Sequence, residues 1–294
     1  MMSRSRFAIF TSFSVAALGA LVAASAFVLD PARAAVGPLP AEALVLPADT
    51  SFVVGLDVKR FVASPFYRKY AGKGDPGRPK AFRELEEKTG IDPERDVDGV
   101  ILAGKKGADA ETGLAFVTGR FDRARLAGSI EARPGVTWRE DQGTTTYLFR
   151  EGEKSSGALA FLDDHTLVVG AGASVESVVA AHAQGARSLR QNAVLMELLG
   201  KVKPGSTFWM VGDQSLLAQL PRNVPAPGRA AGDGASVTLP ALKSLAVTGD
   251  LDPEVSLQAT GAAADEAAAR NLADVVRGFM ALAALQARQK PELA

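Results

Sequence analysis

Two stretches of the chain follow one pattern, and that repetition restricts the fold more than any other feature. Pro47-Ala48-Asp49-Thr50-Ser51-Phe52-Val53-Val54-Gly55-Leu56-Asp57 reads as a Pro-led turn, a run of strand formers, a glycine and an aspartate. Pro204-Gly205-Ser206-Thr207-Phe208-Trp209-Met210-Val211-Gly212-Asp213 repeats it, and a short helix is expected after each. Further on, Phe116-Val117-Thr118-Gly119 precedes one predicted helix as Gln258-Ala259-Thr260-Gly261 precedes another. Both copies run strand, helix, strand, strand, helix, the first enlarged by a four-strand meander. The expected fold is α+β: an antiparallel sheet with helices layered on one face, two related halves, and an N-terminal export helix in front. The divisions are 1–34 for a signal peptide or membrane anchor, 35–45 for an extended linker, 46–202 for the first half, 203–288 for the second and 289–294 for a tail.

Local chemistry sets the individual elements. Ser64 and Pro65 supply a cap and a first helical position. Ala81 to Lys88 is an amphipathic helix with Phe82 and Leu85 inward, ended by Gly90. Asp122 caps a helix carrying Leu126, Ala127 and Ile130 at helical spacing. The meander comprises Val136–Glu140, Thr144–Phe149, Ala158–Leu162 and Thr166–Val169. Helices are expected over Val175–Ala183, Ala193–Val202 and Asp265–Ala287. The last shows Leu272, Val275, Val276, Phe279, Leu282, Ala283 and Gln286 on one side. Arg222 to Ser236, rich in Pro, Gly and Ala, reads as a loop, and Trp138, Trp209 and Phe208 as core anchors.

Arg4 and Arg6 precede an uncharged run from Phe7 to Leu29, the order by which an export segment orients itself. Two readings stand. Asp30-Pro31 ends the helix and Ala32-Arg33-Ala34 offers small residues for cleavage, leaving Ala35 as the new terminus; Ala24-Ser25-Ala26 offers an earlier site. Alternatively residues 7–29 stay as an inner-membrane anchor, since about 20 apolar residues span a bilayer. The expected location is the periplasm or the extracellular space, with membrane contact only through residues 7–29 if they are not removed. The chain has no cysteine, so disulfides, thiolate catalysis and thiolate metal sites are excluded and the fold rests on its apolar core. Beyond the first 34 residues, 30 basic groups face 32 acidic ones, which offers no concentrated basic face for nucleic acid.

The segments LPADTSFVVGLDVKRFVASPFYRKY, FRELEEKTGIDPERDVDGVILAG and ALAFLDDHTLVVGA carry a resemblance. With their Pro-Ala-Asp opening, a helix ending in Thr-Gly-x-Asp-Pro-x-x-Asp and a hairpin ending in Leu-Val-Val-Gly, they resemble uncharacterised secreted or periplasmic bacterial proteins. The resemblance spans roughly Leu46 to Ala183 and implies an exported domain of unknown function. It lends no catalytic residue.

Several groups invite a chemical reading. Glu94, Asp96 and Asp98, after Asp92 and before Gly99, have the alternate spacing of a calcium loop. Counting Glu94 as position 1, the closing acid is replaced by Lys105 and a strand intervenes, so the simpler reading is a solvated turn between helix and strand, with Asp92 capping Pro93. Asp163-Asp164-His165 joins two carboxylates to an imidazole, as a metal or acid–base site would, but it also has the composition of a tight hairpin turn. His182, the other histidine, stands alone on a helix. Gly170-Ala171-Gly172-Ala173-Ser174 precedes a helix whose N-terminus can attract an anion, with Ser174 as the simpler cap. No Gly-x-Ser-x-Gly and no Walker loop occurs, and no cofactor is implied.

Two function classes follow. The first is a non-enzymatic envelope or secreted protein that binds an envelope partner or small ligand through its sheet face or the 222–236 loop; a small-molecule carrier with its pocket between the halves is a further possibility. The second is a periplasmic carboxylate- or metal-dependent hydrolase using Asp96, Asp98 or Asp163.

Overall fold

The computed structural model describes residues 44–71, 80–105, 113–141, 143–151, 155–184, 188–218, 223–225, 236–238, 241–274 and 277. The export segment, residues 35–43 of the proposed linker and most of the 222–236 loop lie outside these residues. So do Val275, Val276, Phe279, Leu282, Ala283 and Gln286 of the last predicted helix.

The two repeated strands, β1 (Phe52–Asp57) and β8 (Phe208–Asp213), lie side by side and antiparallel, with Gly55 opposite Trp209. From this pair the strand order runs outward on both sides, with two strands beyond β8 and six beyond β1. Beyond β1 come β2 (Val97–Gly104) and β3 (Leu114–Gly119). Beyond β8 come β11 (Leu242–Asp250) and β12 (Ser256–Ala263). The meander adds β7 (Thr166–Ala171), β6 (Ser155–Phe161), β5 (Thr144–Glu151) and β4 (Val136–Asp141) outside β3. All ten strands form one antiparallel sheet. Two short strands, β9 (Asn223–Pro225) and β10 (Ser236–Thr238), pair separately within the segment read as a loop.

The aspartate that closes each repeated strand has the same job in both places. Asp57 accepts the Arg60 amide and starts α1 (Val58–Ala63), which leads through Ser64 into α2 (Pro65–Ala71). Asp213 accepts the Ser215 and Leu216 amides and starts α8 (Gln214–Leu217). A carboxylate there satisfies amides that the first helical turn leaves without partners. Between these lie α3 (Lys80–Thr89), ended by Gly90 at φ 74°, and the single turn α4 (Pro93–Asp96), capped by Asp92. They are followed by α5 (Arg123–Glu131), capped by Asp122, then α6 (Gly172–Gln184) and α7 (Ala193–Leu199). Residues 266–274 are helical, begun by Asp265, whose carboxylate accepts the Ala268 amide; Leu272 there is half-buried.

Period-2 alternation divides the strand residues between two faces. One face carries the largest cluster, in which Val53, Phe116, Val168 and Val211 meet Val175 and Val178 of α6 and Leu195, Leu198 and Leu199 of α7. Each such side chain taken out of water contributes about 1.5–3 kcal/mol before entropy is charged against it. This is the expected helical layer. The opposite face is covered as well: Leu126 and Ile130 of α5 pack on Tyr147, Leu159, Phe161 and Leu167. At its other end Phe61 and Phe66, from α1 and α2, pack on Phe208 and Leu257. The layering is therefore two-sided, because inner strands such as β7 are apolar on both faces, with Leu167 in one cluster and Val168 in the other.

Two expectations need correction. Trp138 is 59% exposed rather than a core anchor, because β4 is the last strand of the sheet and five of its six residues are exposed. Ser174 does not cap α6, which begins two residues earlier at Gly172.

Candidate functional site

A cleft of about 310 Å³ opens between the sheet and the end of α7. Its floor is the α6–α7 face of β1, β2, β3 and β8, on which register places Gly55 opposite both Ile101 and Trp209, Ile101 opposite Phe116, and Gly99 opposite Thr118. Its roof is Leu199 at the end of α7, Val202 and the turn Lys203-Pro204-Gly205-Ser206. Two strand glycines let the floor pack closely. A Cβ built on Gly55 would fall inside the Trp209 indole, so the ring lies across bare backbone there. A Cβ on Gly99 would meet the Thr118 hydroxyl at 3.1 Å. Thr118 Oγ1 donates to the Gly99 carbonyl at 3.3 Å, which leaves the floor predominantly apolar.

The roof is held by a small polar network. Gly205 takes φ 72°, which glycine adopts without strain, and the Ser206 hydroxyl donates to the Lys203 carbonyl at 2.9 Å. Asp250, at the end of β11, accepts the Thr207 amide at 3.1 Å and Lys203 Nζ at 2.9 Å, with Arg60 3.8 Å away. At the other end of α7, Asn192 caps the helix through Leu195 and donates to the carbonyls of Ala48 and Thr50. The helix above the cleft is thus tied to the Pro-led turn before β1.

Asp98 and Asp57 stand at the mouth. Asp98 is exposed and 3.6 Å from Lys59, which also donates to the Arg95 carbonyl at 2.7 Å. Asp96 is turned into its own loop: the Arg95 guanidinium grips it at 2.7 and 2.8 Å, and its Oδ2 accepts the Asp92 amide at 2.9 Å. The hydrogen bond from Arg95 holds the Asp96 carboxyl below the usual carboxylate range, although partial burial opposes this. Glu94 accepts the Tyr67 hydroxyl at 2.5 Å. Asp163, Asp164 and His165 form the exposed turn between β6 and β7, where Asp163 accepts the His165 amide at 2.7 Å. His165 Nδ1 lies 3.2 Å from the Gly119 carbonyl.

The two acidic turns lie at one end of the sheet, on either side of the end of β3. Gly119 donates its amide to the His165 carbonyl, and Arg120 donates its own to the Asp96 carbonyl. Of the acids singled out from the sequence, the structure brings Asp98 to the cleft and leaves Asp96, Asp163 and Asp164 engaged in local turns or facing solvent. Among the described residues no group of three or more His, Asp or Glu is arranged to hold a metal ion. His182 is exposed on α6. A smaller hollow of about 160 Å³ does lie at the start of α6, between Thr50, Lys105, Ser174 and Ser177, but Lys105 there is paired with Asp49 at 3.1 Å.

Sequence reasoning allowed for a pocket between the halves but did not identify its floor. Its available signals were Gly55 and Gly99 inside strand patterns, where a missing side chain marks close approach of another group.

No family model matches the chain, and no curated protein matches it. Three solved structures, all of TP0453, are similar to it. Crystal form I shares 12% identity, covers 74% of this chain and 75% of that one, and has a TM-score of 0.40. Crystal form IV shares 10% over 73% and 76%, with a TM-score of 0.40. Crystal form III shares 10% over 74% and 76%, with a TM-score of 0.38. Among the described residues no helix is long and apolar enough to cross a membrane.

Proposed function

We propose that the chain is an exported, non-enzymatic binding protein that holds a small apolar ligand in the cleft between its sheet and the end of α7. The observation that carries this is the cleft itself, about 310 Å³ with its floor on β1, β2, β3 and β8 and its roof on the end of α7 and the 203–206 turn. That volume is at the lower end of the roughly 300–1,000 Å³ found for small-molecule sites. Junctions between structural units are a favoured place for such sites. The arginines ahead of residues 7–29 support export, and the resemblance to secreted or periplasmic proteins agrees with it.

The test uses N-phenyl-1-naphthylamine, an uncharged dye that brightens when it leaves water. The full chain should enhance its fluorescence saturably, and Val202→Trp, which fills the cleft from the half-buried roof, should abolish the enhancement while far-UV circular dichroism is retained. Equal enhancement by the filled variant would refute the reading. Sequencing the mature N-terminus from the envelope fraction tests export: a start at Ala35 or an intact membrane-bound segment supports it, and an intact chain in the cytoplasm counts against it.

A carboxylate-dependent hydrolase is the second reading, favoured by Asp57 and Asp98 at the same mouth. It requires ester or phosphoester turnover that disappears in Asp98→Asn.

A further inference from the structure

The charges around the mouth point to a ligand class, on the premise that the cleft binds a small molecule at all. The charged side chains that line the cleft are Asp57, Asp98 and Lys203, and beside them on the rim stand Lys59, Arg60 and Asp250. These groups are matched in number and engaged with one another or with backbone. Lys59 faces Asp98 at 3.6 Å, Lys203 meets Asp250 at 2.9 Å, and Arg60 approaches the same Asp250 carboxylate at 3.8 Å. Asp57 accepts the Arg60 amide at 2.9 Å, which is the cap of α1.

We infer that the cleft selects uncharged apolar molecules over ionised ones of the same shape. An ionised head drawn into the mouth gives up hydration and finds no unbalanced charge there to replace it. To gain a partner it must take Lys203 from Asp250 or Lys59 from Asp98. The first of these exchanges also loosens the turn that roofs the site, because the same carboxylate holds the Thr207 amide at 3.1 Å. An uncharged molecule avoids both costs. It lies against Val202 and the accessible margins of Ile101 and the Trp209 ring and leaves the ion pairs as they are.

The experiment displaces bound N-phenyl-1-naphthylamine from the full chain with 1-decanol, decanoate and decylammonium, each below its micelle concentration. The three share a chain length and differ in head charge. Decanol should displace the dye at concentrations at least tenfold lower than either ion. Asp98→Asn, which frees Lys59 on the exposed rim, should improve decanoate several-fold relative to decanol. Decanoate or decylammonium matching decanol on the unaltered chain would overturn the inference while leaving a binding cleft in place. Failure of the dye to bind would overturn both this inference and the reading on which it rests.

Discussion

Gly55→Ala places a methyl group where the Trp209 indole lies, at the centre of the pair that joins the two halves. The ring is 9% exposed, so it has no route straight into solvent; it must tilt into the cleft or push β1 and β8 apart. Forcing extra atoms into a packed site costs about 1–3 kcal/mol, whereas Ala in place of Gly within a strand is otherwise favourable by roughly 0.5–1 kcal/mol. With the added carbon inside the ring the cost falls at the top of that range, about 3 kcal/mol, so the net expectation is a loss of about 2 kcal/mol. Trp209→Ala alone removes a buried indole and should cost about 3–5 kcal/mol. In that background the obstructing ring is gone, so Gly55→Ala should gain about 0.5–1 kcal/mol instead of losing 2. The double-mutant cycle therefore carries a coupling of about 3 kcal/mol, the upper end of what contacting residues show. Urea unfolding followed by far-UV circular dichroism measures it without relying on tryptophan emission. At a slope of about 2 kcal/mol/M the Gly55→Ala midpoint should fall by about 1 M. Additive free energies, with coupling under about 0.5 kcal/mol, would refute the claim that the indole occupies the space above Gly55.

Two further outcomes follow from the polar contacts. Asp250→Ala strands the buried Thr207 amide and releases Lys203, so it should cost about 2–3 kcal/mol in urea unfolding. Asp250→Asn keeps an acceptor and should cost about half as much; equal losses would show that the amide bond is not what matters. Asp96 has a folded pKa held below its unfolded value by Arg95, so its contribution is complete above about pH 4 and is lost as pH falls through the folded value. The stability difference between the unaltered chain and Asp96→Asn should therefore narrow between about pH 6 and pH 2, and a difference constant across that range would contradict the assignment.

Much of the architecture was legible because it is specified over a few residues. Strand alternation, the Asp92 and Asp122 caps, the stop at Gly90 and the turn at Asp163 to His165 each depend on neighbours within one or two turns of chain. The strands Phe52–Asp57 and Phe208–Asp213, alike in sequence, lie paired in the sheet, and the aspartate at the end of each caps a short helix. The candidate acids were a different matter. Alternate carboxylates at Glu94, Asp96 and Asp98 suggested convergence, but side chains two apart on a turn that enters a strand are sent different ways. Asp96 folds back on Arg95 while Asp98 reaches outward to Lys59.

By itself, then, the sequence determined the α+β class, the antiparallel pairing of successive strands, the helix boundaries near their caps and the independence of the fold from thiols. These follow from periodicity, backbone preference and composition, which act locally. Tertiary structure alone decided which face each helix covers, that Trp138 ends on an outer strand in solvent while Trp209 lies across Gly55, and that Asp98 borders a cleft. The order of strands in the sheet sets all three. That order brings together residues far apart in the chain, such as Gly55, Gly99, Thr118 and Trp209, whose shared space no local pattern records.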